Sequence, residues 1–558
     1  MLFKKINLIF IVLLLYQTPL NSKSDSFDDF NPKILSRYFS GIVASENKNN
    51  ARALKYFNSS KILINKHDPY LQKFVMSLVL ENKTSKAINF LKMSENKSNS
   101  NFFEAYILLI LDSIKKDNLD EAIDLLLKIP KPLQEERIDF ILLNSLKQYV
   151  YTFKEKKIIQ TDQNFGNLSF INETFQRCYL NDEKTDIFFS KLTNDNQADY
   201  SRYIFFYITY LIENKKVNQA KFLTNELEYI NTSILLSQGK SWIDKDELDK
   251  FSQIFSCKNY KDIISEFLFL ISNLYSSQND FKKSNFYLIL SNYLNSKFVF
   301  NLSLIVENFY LNKNYEKAKK ILKNFNEDIE FYYWYRLKKE TQIISKTRNQ
   351  EEALNFIISN FQEFENPNNK FIFDIANFYK NAKKYNEAIK YYSLIINSLK
   401  EDTSIKSDLL YRRGGTYERL KDFTNADKDL IDSLKINPDD AYILNYLAYS
   451  WLERDYKIDE AIQMLEKAYA AESDDPYIID SIGWAYYLIN DFNKAEKFLK
   501  RAVELMPEDP IVNDHYGDIL WKLNRKIQAR YFWSSVIKMK DADKELIEKI
   551  KIKIVSGA

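Results

Sequence analysis

One stretch constrains the fold more than any other. From Ser407 to Asp543 the chain repeats itself four times, with copies starting at Ser407, Ala441, Pro476 and Pro510, steps of 34, 35 and 34 residues. A period of that length belongs to a helix–turn–helix unit that cannot bury its own apolar face and must stack on its neighbours. The eighth position of each copy is small: Gly414, Ala448, Gly483 and Gly517. A second small position follows at Ala426, Ala461, Ala495 and Ala529. Small residues at these places let two helix backbones approach closely. Between them stand large apolar residues at helical spacing: Leu444, Leu447 and Trp451, then Ile479, Ile482 and Tyr486. Pro438 and Pro507 close the first and third copies, because proline does not continue a helix. The second copy carries one extra residue before Ala461.

The small–large–Ala–Pro order, in phase over four copies, resembles the tetratricopeptide repeat (TPR) family. The resemblance implies an all-α, right-handed superhelical solenoid. Arg413 departs from the pattern, standing where the first copy should have leucine. The runs NYLAY (Asn445 to Tyr449), DSIGWAYY (Asp480 to Tyr487) and NDHYGDILWKLNR (Asn513 to Arg525) are similar to the C-terminal repeats of bacterial cell-envelope TPR proteins. Some of those are outer-membrane lipoprotein adaptors of a periplasmic carboxy-terminal processing protease.

In such solenoids positions 2, 5, 9 and 12 of each copy face a concave groove. Carried over, these are Tyr442, Asn445, Tyr449 and Leu452; Tyr477, Asp480, Trp484 and Tyr487; Ile511, Asp514, Asp518 and Trp521. Aromatic side chains offer large contact area at low entropy cost, and Asn or Asp accepts backbone N–H bonds from an extended segment. Together they resemble a peptide-binding groove; the alternative is that they bond between neighbouring copies and stiffen the array. The lysine-rich clamp by which some TPR cochaperones hold a carboxylate tail is excluded, since position 5 is Asn or Asp where that clamp needs a cation.

The whole chain has 558 residues, too many for one compact core, a limit that a solenoid avoids. Glycine and proline are scarce, 8 and 10, as helices and short turns require. The net charge of +3 is unevenly spread: Ser407 to Asp543 holds 19 basic against 26 acidic residues, the remainder 60 against 50. No compact basic stripe stands out, so no nucleic acid partner is expected. The two cysteines, Cys178 and Cys257, and two histidines, His67 and His515, fit no zinc pattern, and no cofactor is expected. A disulfide is compatible with an oxidising compartment. The cysteines lie 79 residues apart, however, about two repeats, where a solenoid makes few contacts, so two separate, partly buried thiols are expected.

No phosphate loop, dinucleotide fingerprint or nucleophile elbow is present. His515 sits on a first helix beside the groove, where a hydrogen-bonding or packing role is expected rather than catalysis. The reading is a non-catalytic scaffold or adaptor binding protein partners, such as a periplasmic protease or an envelope assembly factor. Peripheral membrane association remains open. The rivals are a cell-wall enzyme with a TPR platform, for which Arg137 to Asp199 is the only room, and a structural spacer.

Met1 to Ser24 has the layout of a secretory signal peptide: Lys4 and Lys5, an apolar run from Ile6 to Tyr16, then small residues Ser22 and Ser24. No cysteine follows the run, so a lipoprotein anchor is not expected. A periplasmic protein is the expectation, with an uncleaved inner-membrane anchor as the alternative. Degenerate helix pairs are expected over 34–264, starting near Ile34, Asp68, Phe103 and Ser201, with close-packing Ala53, Ala87, Ala122 and Ala220. Arg137 to Asp199, broken at Phe165–Gly166–Asn167, reads as two degenerate pairs, and Leu235 to Ile264 as an irregular insert where two segments divide. Over 265–406 regular pairs start near Ser265, Val299, Trp334 and Asn369, with Ser284, Ala318, Ala353 and Ala388 as landmarks. The aromatics Phe281, Tyr315, Tyr385, Phe423 and Phe492 are expected to open second helices. A capping helix follows Asp543, over 544–558.

Overall fold

The computed structural model describes residues 31–65, 67–94, 101–130, 137–193, 201–225, 230 and 232–558; the signal segment at 1–24 lies outside them. Among the described residues the fold is all-α, an array of helix pairs without a strand. No helix there is long and apolar enough to cross a membrane.

The pair-by-pair construction follows from the small landmarks. Ala53, Ala87, Ala122, Ala220, Ala318, Ala388, Ala426, Ala461, Ala495 and Ala529 are all fully buried, as is Ser284. Each sits in the first turn of a second helix, where the first helix crosses it. Phe281, Tyr315, Tyr385, Phe423 and Phe492 are the first residues of their helices, directly behind the cap. The connection between the two helices of a pair needs one left-handed residue. With so few glycines, that place falls to polar residues: Lys48, Asn82, Asp117, Lys215, Asn279, Lys313, Lys383, Lys421, Asn490 and Asn524 all have φ near +60°. The second copy uses two, Asp455 and Lys457, and so absorbs its extra residue without disturbing either helix.

The chain divides into two compact units. The first comprises residues 1–224 and 233–336, the second 225–232 and 337–558. The division therefore does not fall within Leu235 to Ile264, and that stretch is not irregular. Ile234–Asp244 and Asp249–Ile254 are helices, and Tyr260–Ser277 begins inside it. Gly239, inside the first of these helices, makes a close approach: a Cβ there would meet Phe205 and Phe251 at 3.3 Å. Between Arg137 and Asp199 three helices are described, Arg137–Glu155, Asn167–Leu180 and Thr185–Thr193, in place of two full pairs. Gly166 does mark the break, with φ of 63°.

In the first unit the array turns back on itself. Phe281–Leu294 packs against Asp68–Val79 and Phe103–Lys115, and Tyr260–Ser277 packs against Arg137–Glu155. The seam is polar: Tyr275 donates to buried Asp139 at 2.6 Å, Tyr260 and Lys261 meet Asp117 at 2.5 and 2.8 Å, and Lys317 donates to the carbonyl of Lys48 at 2.7 Å. The expectation of two separate thiols fails for this reason. Asn167–Leu180 lies against Tyr260–Ser277, which brings Cys257 beside Cys178. The two form a disulfide with Cα atoms 5.5 Å apart, and both cysteines are buried.

In the second unit each copy of 407–543 contacts its neighbours in sequence, and the first helices of successive copies also pack on one another. Leu447, Trp451, Leu465, Ile482, Leu499, Ile519 and Trp533 share one apolar core through these copies. Arg413, the departure from the pattern, makes a two-pronged ion pair with buried Asp429 at 2.7 and 2.8 Å and donates to Ser393. A polar clamp thus replaces the apolar contact that leucine would make. The helix Lys544–Ser556 stacks on Lys526–Val536 as a cap, burying Ile550.

Candidate protein-binding face

The face is set by three identical helix starts. Asp440, Asp475 and Asp509 each accept two backbone N–H bonds at 2.9–3.1 Å from the residues two and three positions on. These caps satisfy donors that a helix start leaves unpaired. Pro476 and Pro510 occupy the first helical position, where no N–H is needed. One residue after each start, in the same register, stand Tyr442, Tyr477 and Ile511. They are 54%, 56% and 42% exposed, an apolar row left open by three successive copies.

Behind that row the face is half-buried. Trp484 is stacked between Tyr487, 4.7 Å away, and His515, 4.1 Å away, and its Nε1 donates to Glu453 at 3.2 Å. Tyr449 lies 6.4 Å from the His515 ring. Burial, with Glu453 beside it, raises the Tyr449 hydroxyl well above the ordinary tyrosine range. Asn445 and Asp480 each carry one buried side-chain oxygen with no hydrogen-bond partner among the described residues.

The polar ladder divides by role. Asp480 Oδ2 meets His515 Nδ1 at 2.8 Å, joining the third copy to the fourth. Burial pulls the His515 imidazole down, but Asp480, with Asp514 and Asp518 behind it, outweighs burial and raises its pKa. Asp514 and Asp518 are both engaged by Lys553 of the capping helix at 2.7 Å, and Asp518 also accepts from Trp533 at 3.1 Å. Burial and the neighbouring Asp514 raise the Asp518 carboxyl. Trp521 packs on Trp533 under the Lys526 and Arg530 cations, and the ring is so close to Gly557 that a Cβ there would collide with it.

Of the twelve face residues read from the sequence, Tyr442, Asn445, Tyr449, Tyr477, Trp484, Tyr487 and Ile511 therefore lie on one accessible or half-buried surface, whereas Leu452 is buried in the apolar core. Asp480, Asp514, Asp518 and Trp521 are engaged by the chain itself. The reading had not found Lys553 or Glu453. Lys553 was legible in part: it lies three residues after Ile550 and one before Ile554, on the packed side of the cap rather than its polar side.

The tetratricopeptide repeat profile matches residues 407–440 and 478–509, two of the four copies. The chain carries tetratricopeptide repeats. It is 33% identical over 111 residues to the TPR repeat-containing protein PA4667 of Pseudomonas aeruginosa, a match covering 20% of this chain and 19% of that one. Among solved structures, a TPR protein from Parabacteroides merdae aligns over 46% of this chain and 98% of its own, at 16% identity and a TM-score of 0.38. The type IV pilus biogenesis factor PilW aligns over 35% of this chain and 88% of its own, at 20% identity and a TM-score of 0.30. TPR arrays are protein-interaction scaffolds.

Proposed function

We propose that this TPR protein is a non-catalytic adaptor of the bacterial cell envelope that holds a partner protein on the first-helix face of its last copies. The observation that carries this is the exposed row of Tyr442, Tyr477 and Ile511 beside half-buried Trp484. Aromatic anchors next to polar groups are the composition of binding hot spots. The buried, partnerless oxygens of Asn445 and Asp480 support the same reading, because a bound segment supplies donors that the chain does not. The envelope part rests on the signal-like start of the sequence and on the buried Cys178–Cys257 disulfide, which suits an oxidising compartment. A periplasmic protease or an envelope assembly factor is the kind of partner proposed.

The test is affinity capture of the mature protein from its own envelope fraction, alongside a Tyr442→Ser/Tyr477→Ser variant. Both side chains are more than half exposed, so the variant should melt with wild type yet lose its partner. Trp484→Ala should weaken the same complex by about 2 kcal/mol or more. A variant that recovers every wild-type partner at wild-type yield would leave the face purely architectural.

A further inference from the structure

The first unit holds a cavity of about 660 Å³ where its early and late helices meet. Its floor is apolar, formed by residues such as Ile289, Ile305 and Phe309, and its rim is rich in asparagine and lysine. Three features of the rim ask for a ligand. Lys48 and Lys317 take part in no ion pair among the described residues, each giving one N–H to a neutral acceptor, Asn312 and the Lys48 carbonyl, whereas their neighbour Lys282 is paired with Glu46. Lys317 is also half-buried over the Phe309 ring, and burial pulls its ammonium below the ordinary lysine range. A bound anion would relieve that penalty. Lastly, Asn50 lines the cavity with a buried Oδ1 that has no hydrogen-bond partner among the described residues. An anion alone leaves that acceptor unmet, and so does an acyl chain. A peptide backbone brings an N–H for Asn50, and its side chains bring apolar matter for the floor.

We propose that this cavity binds an extended peptide segment of a partner protein in which a carboxylate sits beside apolar side chains. The carboxylate meets Lys48 and Lys317, Asn50 accepts a backbone N–H, and an apolar side chain enters between Ile289, Ile305 and Phe309. The carboxylate belongs either to an Asp or Glu side chain or to the C-terminus of the segment. This site is separate from the face of the last TPR copies and does not depend on it.

The full mature protein would be used to select from a displayed library of random dodecapeptides with free C-termini. Enriched peptides should share an acidic group next to Leu, Ile, Val or Phe. Their synthetic forms should bind Lys48→Gln and Lys317→Gln proteins at least about tenfold more weakly. Lys48 also donates to Asn312 at 2.5 Å across the seam, so the melting temperature of Lys48→Gln is measured beside its binding, and a loss of binding counts only where the variant melts with wild type. Amidating the peptide C-terminus abolishes binding if the terminal carboxylate is the anion; replacing Asp or Glu by its amide abolishes it if a side chain is. Trp484→Ala should leave the affinity unchanged. The proposal falls if no peptide is enriched, if the enriched peptides lack an acidic group, or if Lys48→Gln has no effect. It also falls if Trp484→Ala removes the binding, which would place the peptides on the other face.

Discussion

The two units use the same helix pair and hold it in different ways. One device is shared to the atom: Ser265 and Ser291 exchange hydroxyl-to-carbonyl bonds at 2.9 and 2.7 Å, as Ser407 and Ser433 do at 3.1 and 2.7 Å. Beyond the pair they part. The last TPR copies are joined neighbour to neighbour, by Tyr446 to Glu418, Arg454 to Asp427, Asp480 to His515 and Lys553 to Asp514. The first unit adds bonds between residues far apart in sequence, such as Asp139 to Tyr275 and Lys48 to Lys317, and a disulfide. A linear array leaves its first-helix face free for a partner, and its stability is a sum of local terms. An array that turns back on itself gains long-range closure, so that opening one part releases others.

The largest effect should come from the closure. Cys178→Ser/Cys257→Ser should cost the first unit about 2–4 kcal/mol, seen as a lower melting transition that leaves the second unit's transition in place. If both transitions move together, the units are not separate. Next comes Gly483→Leu in the third copy. Even a Cβ there would stand 2.8 Å from the Leu499 side chain and 3.1 Å from its backbone nitrogen. The overpacking should cost on the order of 1–3 kcal/mol. Hydrogen exchange should show protection lost in the adjoining copies, while helices from Pro32 to Lys128 keep theirs. Uniform loosening of the whole chain would refute nearest-neighbour coupling.

Acidity should separate the units more gently. Burial pushes Asp262, in the first unit, up to about 7 from 3.8. A carboxyl raised in the folded state binds its proton more tightly there than in the unfolded chain. The first unit should therefore lose stability as pH rises between about 4 and about 7, and Asp262→Asn should flatten that slope. His515, in the second unit, is also raised, but its reference lies at 6.5. Its contribution is complete below 6.5 and is lost as pH climbs through the folded value. Melting followed separately for each unit from pH 4 to 9 checks both windows.

Much of this was legible in the sequence where a local rule governs it. Ala461 and Ala495 announce helix crossings because no larger residue fits there, and Phe423 and Phe492 announce helix starts because they follow a capping Asp. The cap of the array was visible in the spacing of Leu546, Ile550 and Ile554. What escaped depends on contacts that no period encodes. Leu235 to Ile264 looks irregular until Gly239 is seen packed against Phe205 and Phe251. Cys178 and Cys257 look remote until the first unit turns back. Asp480 and Asp514 read equally well as ligand contacts and as inter-repeat bonds. Their partners, His515 and Lys553, decide that, and Lys553 comes from a helix outside the four copies.

Native-state hydrogen exchange of the full chain, followed helix by helix in increasing denaturant, tests the contrast between the units most directly. Helices of the first unit, from Pro32–Glu46 to Tyr315–Leu322, should converge on one opening free energy, because the seam and the disulfide bind early and late pairs together. Helices of the last four copies should open in a graded series, lowest at Lys544–Ser556 and rising inward. A graded series in the first unit, or one common opening across both units, would contradict it.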